Sequence, residues 1–189
     1  MENGKSAPST DNGGVRMIVL IAGSSHTGKT VLAQKLLKKY EFPYLSLDHL
    51  KMGLIRSGFS TLTPEDDVDA ITCVLWPITR EIIKTNIENR QKLIIEGCYI
   101  PFDYKKDFED EYLKYIKYSC LIFSEKYIQE HYDVILDNAG AIEFRNEGDS
   151  KYCTKEMLLR ENLINLEKCK ESNCDYILID DKYEVDIRL

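Results

Sequence analysis

The chain has 189 residues, enough for one domain with modest additions and too few for a second catalytic domain. Hydrophobic residues make up 43% and charged residues 30%, ordinary globular usage that excludes a disordered tail or a fibre. With 25 Lys and Arg against 32 Asp and Glu the net charge is -7, so general binding to nucleic acid or anionic lipid, which needs cations to neutralise phosphates, is not expected. A local basic cleft stays compatible with that balance.

Residues 1–15, polar and rich in Gly, Ser, Asn and Asp, are expected to be a disordered lead-in, with one domain over 16–189. Met17 to Ala22 is a continuous apolar run ending at Gly23, the pattern of a strand buried on both faces. Pro43 to Leu47, Lys92 to Glu96, Lys117 to Phe123 and Tyr176 to Ile179 read as four more strands. Between them, Thr63-Pro64-Glu65-Asp66 has a capping hydroxyl, a proline at the first helical position and acids in the first turn. Val68, Ile71, Leu75, Ile78 and Ile82 follow at helical spacing, and Pro77 predicts a kink or break near Trp76. Ser124 and Thr154 are expected to cap helices from Glu125 to about Leu136 and from Lys155 to about Ser172. Strands alternating with helices imply a layered α/β sheet with ligands at the carboxyl ends of its strands.

The six cysteines are scattered and none forms Cys-x-x-Cys, so free thiols in a reducing cytoplasm are expected and Cys98 is read as a small buried residue. No run approaches the roughly 18 to 20 apolar residues of a membrane span, and Met17 to Ala22 is too short for the apolar region of a secretory signal. A cytoplasmic protein is the expectation.

Gly23-Ser24-Ser25-His26-Thr27-Gly28-Lys29-Thr30 matches Gly-x4-Gly-Lys-[Ser/Thr]. A chance match in a chain of this length is on the order of one per cent. The motif follows a buried strand and opens a helix from Lys29 to Tyr40, the context its mechanism requires. The glycines allow a sharp exit and a close backbone approach, while successive N–H groups and the helix N-terminus make an anion pocket. All eight residues are therefore candidates for holding a nucleotide's phosphates, with Lys29 on the β- and γ-phosphates and the Thr30 hydroxyl on Mg2+. His26 can donate to a phosphate or serve as a solvated spacer.

On this loop the chain resembles the P-loop kinase group, which includes adenylate kinases, shikimate and gluconate kinases, zeta-type toxins and 2-phosphoglycerate kinases. Leu93 to Glu96, Gly97 and Pro101 are similar to the hydrophobic-Glu-Gly segment of the last two. The resemblance implies a three-layer fold, a five-stranded parallel sheet flanked by helices, with a mobile lid over about residues 137–153. It implies ATP and Mg2+ as cofactors. Asp48, just past the second strand, resembles the acid that orients or deprotonates an acceptor hydroxyl; it is equally suited to cap a helix starting at His49. Glu96, at a strand end, stands where an acid holds Mg2+, although Asp is usual there, and it can instead contact the acceptor. Arg145 lies in the segment resembling the lid, where closure would bring it over the phosphates as a catalytic cation. Arg56, Arg80 and Arg160 are the remaining candidates for anionic groups of the substrates.

An ATP-dependent kinase acting on a metabolite hydroxyl or a nucleotide phosphate is the reading that follows. Three others stand beside it: a GTPase-type switch, for which no Asn-Lys-x-Asp segment is found, a nucleotide-binding module without transfer, and a toxin-type kinase regulated by a protein partner. The acceptor and the oligomeric state are not legible in the sequence.

Overall fold

In the computed structural model the described residues are 16–138 and 153–189. The lead-in over 1–15 and nearly all of the expected lid, Arg145 included, lie outside them. Each apolar run forms a strand: β1 (Met17–Gly23), β2 (Tyr44–Ser46), β3 (Lys92–Glu96), β4 (Ile116–Phe123) and β5 (Tyr176–Ile179). All pairings are parallel and the order is β2-β3-β1-β4-β5. The first strand in the chain is therefore the middle one, which is why its run is apolar on both faces: Ile18 through Ile21 have no exposed surface.

The connecting helices are α1 (Lys29–Tyr40), α2 (Leu47–Arg56), α3 (Val68–Glu88), the single-turn α4 (Asp110–Leu113), α5 (Glu125–Asp137) and α6 (Lys155–Glu171). Side chains alternate across a strand, so β1 feeds two cores. Ile18, Leu20 and Ala22 pack with Ile71, Leu75, Trp76, Ile83 and Ile87 of α3. Val19 and Ile21 pack on the other face with Leu32, Ala33 and Leu36 of α1 and with Ile128 and Ile135 of α5. Three layers result. After β5 the chain continues over α1, burying Val185 and Ile187, with Lys35 donating to the Val185 carbonyl at 2.7 Å and Lys39 paired with Asp186 at 2.7 Å.

Ser124 and Thr154 cap α5 and α6 as their sequences predict, accepting from the N–H groups of Tyr127 and Met157 at 3.0 and 3.1 Å. Three local expectations are corrected. Helix α3 begins at Val68 with Asp67 as its cap, because Thr63 is engaged in a separate turn: its N–H and hydroxyl both donate to the Asp66 carboxylate. No break occurs at Pro77, and α3 runs unbroken for 21 residues. The proline and Cys73, whose carbonyl loses its donor, both lie on the exposed face where water can replace the bond, while the buried stripe holds both halves to the sheet. Finally, α2 starts at Leu47 with Ser46 at the cap position, which moves Asp48 from cap to first turn.

No disulfide joins the six cysteines, and no helix among the described residues is long and apolar enough to cross a membrane.

Candidate functional site

Reversal of strand order at β1 opens a crevice at the carboxyl ends of β1 and β3, the usual ligand position in an open parallel sheet. The Gly23–Thr30 turn fills the end of β1. Among the described residues, the N–H groups of Ser24, Ser25, Thr27 and Gly28 donate to no backbone carbonyl. The Ser24 hydroxyl is buried without a hydrogen-bond partner. A buried donor is nearly always satisfied, so the Ser24 hydroxyl, together with these N–H groups at the start of α1, fits a polyphosphate.

The loop is held by its own polar groups. The Ser24 carbonyl accepts from Lys29 Nζ at 2.8 Å and from the Thr27 hydroxyl at 2.9 Å. Gly28 has φ +79°, and a Cβ there would come within 1.9 Å of the Tyr183 hydroxyl, which itself donates to the Thr27 and Gly28 carbonyls at 3.1 and 3.2 Å. A residue of the tail after β5 thus braces the loop. His26 takes a left-handed φ of 66°, so this position turns the chain whatever its side chain does.

Lys29 is buried, which works against its charge, yet Cys98, Glu96 and Asp48 around it outweigh that and hold its pKa above the ordinary 10.5. It stays an ammonium. Glu96, only 1% exposed, accepts from the Thr30 hydroxyl at 3.2 Å. Burial raises its pKa, and the Ser46 hydroxyl and Lys29 ammonium nearby offset that only in part. A hydroxyl and a carboxylate side by side at the phosphate loop are the hard oxygen donors that Mg2+ takes when phosphates and water complete its shell. Such a site needs no protein cluster of three or more acids, and none is found among the described residues. The donor set fits the ion.

Sheet register explains why these groups meet. Glu96 is paired with Ile21 on one side and Ser46 on the other, so the ends of β1, β3 and β2 lie in a row. Asp48 follows Ser46 in the first turn of α2, across from Lys29. Gly97 allows the approach: a Cβ on it would fall 2.8 Å from the Leu47 Cβ at the start of that helix. Asp48 Oδ1 pairs with Lys51 Nζ at 3.0 Å and accepts from the Tyr99 hydroxyl at 3.3 Å, and Lys51 donates to Tyr99 at 2.8 Å.

The structure therefore gathers Gly23 to Thr30, Asp48 and Glu96 into one crevice. Arg56 is not brought there; it is exposed at the far end of α2, about 12 Å from Asp48 along the helix axis. Nor is Arg80, whose Nε pairs with Glu81 at 2.8 Å on the half of α3 that carries Lys84, itself paired with Glu109 just before α4. Arg160 is exposed on α6 and lines a groove of about 610 Å³ with Phe123, Ser124 and Leu178, beyond β4. Arg145 lies outside the described residues. Cys98 is half-buried rather than buried, 3.9 Å from the Ser25 hydroxyl. Lys51, Tyr99 and Tyr183 went unread in the sequence. Lys51 carried a signal, three residues after Asp48 and so on the same helix face, whereas the two tyrosines carried none.

No protein-family model matches the sequence, and no curated protein matches it. The fold does have solved counterparts. A candidate kinase from Chloroflexus aurantiacus is 15% identical, with a TM-score of 0.55 over 91% of this chain and 90% of that one. A gluconokinase from Sinorhizobium meliloti 1021 is 14% identical, with a TM-score of 0.48 over 88% and 83%. A shikimate kinase from Bacteroides thetaiotaomicron is 15% identical, with a TM-score of 0.47 over 87% and 86%. The first carries the comparison. The α/β fold, a five-stranded parallel sheet flanked by helices, is shared with that candidate kinase. At this identity the likeness extends to the fold alone.

Proposed function

We propose that this protein is an ATP-dependent kinase that transfers the γ-phosphoryl group to a small-molecule acceptor, either a metabolite hydroxyl or a nucleotide phosphate. The observation that carries the reading is the convergence on one crevice of a glycine-flanked turn with unpartnered donors, an ammonium, a hydroxyl–carboxylate pair and a second carboxylate opposite. A glycine turn of purely structural use has no need of the last three.

In this reading the loop N–H groups and the α1 N-terminus bind the β-phosphate, and Lys29 leaves the Ser24 carbonyl to contact the β- and γ-phosphates. Thr30 and Glu96 would hold Mg2+, which when bound neutralises charge on the phosphate oxygens. Asp48 faces the acceptor and orients it for in-line attack. Most of the rate then comes from positioning and fixed charge, the terms that dominate phosphoryl transfer. Arg145 is proposed to add a cation to the γ-phosphoryl oxygens on closure, with Arg160 beside it. Arg56 and Arg80 would reach a substrate only through a long acceptor or a movement of α2 and α3. The protein would act in the cytoplasm.

The test is ADP release with MgATP across a panel of metabolites carrying hydroxyls and of nucleoside monophosphates. ADP production that depends on one panel member is expected. ATP binding without acceptor-dependent release from any member would replace the kinase with a nucleotide-binding module, and failure to bind ATP would remove both.

A further inference from the structure

We propose that Lys51 and Tyr99 are positioning residues that aim the Asp48 carboxylate at a hydroxyl, which makes the acceptor an alcohol rather than a nucleotide phosphate; this rests on the kinase reading above. A carboxylate in the first turn of a helix can turn back to the free N–H groups there. Asp48 does not. Its Oδ1 takes both Lys51 Nζ, at 3.0 Å, and the Tyr99 hydroxyl, at 3.3 Å, and the triangle is closed by the 2.8 Å bond from Lys51 to Tyr99. Lys51 is well sheltered for a lysine, with 11% of its side chain exposed. Tyr99, buried and next to the Asp48 charge, has its pKa pushed up to about 12 and so keeps its proton to donate.

Two donors on one oxygen stop the carboxylate from rotating. Oδ2 has no partner among the described residues. A hydroxyl arriving there brings a proton donor to a fixed acceptor. A phosphate arriving there brings a second anion against the first, with the Lys51 ammonium already shared between Asp48 and Tyr99 and the Lys29 ammonium, on the reading above, engaged by the phosphates of ATP. The transfer balances: the acceptor oxygen bonds to the γ-phosphorus of ATP, the bond from that phosphorus to the β–γ bridging oxygen breaks, ADP leaves with the electron pair, and the hydroxyl proton passes to Asp48 Oδ2.

Water is the simplest hydroxyl, so slow MgATP hydrolysis reads the triad without the natural acceptor. Phosphate release from γ-labelled ATP is followed in single turnovers for the wild type and for Lys51→Met, Tyr99→Phe, Lys51→Arg and Asp48→Asn. ATP affinity is titrated for each, and AMP is tested as a phosphate acceptor. Tyr99→Phe removes only an oxygen and keeps the ring packed. Both Lys51→Met and Tyr99→Phe are expected to slow hydrolysis about 10-fold or more while ATP affinity stays within about 2-fold, with Lys51→Arg restoring most of the rate. The positioning role is overturned by unchanged hydrolysis in Lys51→Met and Tyr99→Phe, by a parallel loss of ATP affinity, or by wild-type hydrolysis no faster than that of Asp48→Asn. Conversion of AMP to ADP faster than hydrolysis overturns the alcohol acceptor. Failure of the wild type to bind ATP is a different result and removes the kinase reading itself.

Discussion

The two walls of the crevice are built in opposite ways. The phosphate side is eight consecutive residues, Gly23 to Thr30, whose shape comes from local backbone geometry and from bonds within the turn. The opposite side, proposed for the acceptor, is assembled from α2 and from the segment after β3: Asp48 and Lys51 from one and Tyr99 from the other, with Glu96 at the end of β3 between the two sides, brought together because β2 pairs with β3 and β3 with β1. On the proposed reading a contiguous turn meets a chemically constant ligand, the polyphosphate. An assembled wall can be altered residue by residue without disturbing the turn, which suits the part of the site that must choose an acceptor.

That contrast is open to direct attack. The largest effect is expected from Lys29→Met, which should cut phosphoryl transfer about 10^3-fold and weaken ATP binding as well, both read from initial rates over a range of ATP concentrations. Asp48→Asn should cut transfer about 10^2-fold and leave ATP affinity within about 2-fold by titration. If both variants weakened ATP to the same degree, the two walls would not be separable. Gly28→Ala should destabilise the fold by about 1 to 2 kcal/mol from the left-handed backbone alone, and further through contact with Tyr183. In a denaturation cycle with Tyr183→Ala, the double variant should be more stable than the sum of the single changes predicts. Strict additivity would show that the tail does not brace the loop.

The smallest effect concerns Glu96. Its pKa is raised in the folded state, chiefly by burial, so the folded protein holds the proton over a range where the unfolded chain has lost it. Stability from this group is therefore complete below the ordinary 4.5 and falls as pH rises through its higher folded value. Glu96→Gln should flatten that slope and raise the melting temperature without Mg2+ at neutral pH, while lowering Mg2+-dependent transfer. A lower melting temperature at neutral pH would mean that the carboxylate is a stabilising group.

The Gly23–Thr30 turn was legible in the sequence because motif, strand and helix follow one another without a gap. Five strands were legible for a similar reason: Met17 to Ala22 and Leu93 to Ile95 are unbroken apolar runs. Helix starts were less so. Thr63 and Pro64 have the chemistry of a helix start, but the nearby Asp66 carboxylate takes the Thr63 donors into a turn and the helix waits for Asp67. The acceptor wall was read only as two separate acids, since nothing in the order of residues reveals that β3 lies between β2 and β1. Tyr183 is more distant still: it lies 155 positions beyond Gly28 and meets the loop just after β5, before the tail runs along α1.

The proposed function requires the turn after β1 to hold a nucleotide polyphosphate. Phosphorus NMR of ATP with Mg2+, recorded as the protein is added, tests it at the atoms concerned. The β-phosphate resonance is predicted to shift and saturate at one equivalent with the wild type and to stay nearly unmoved with Lys29→Met. An unshifted β-phosphate in the presence of the wild type, or an equal shift with Lys29→Met, would contradict the account.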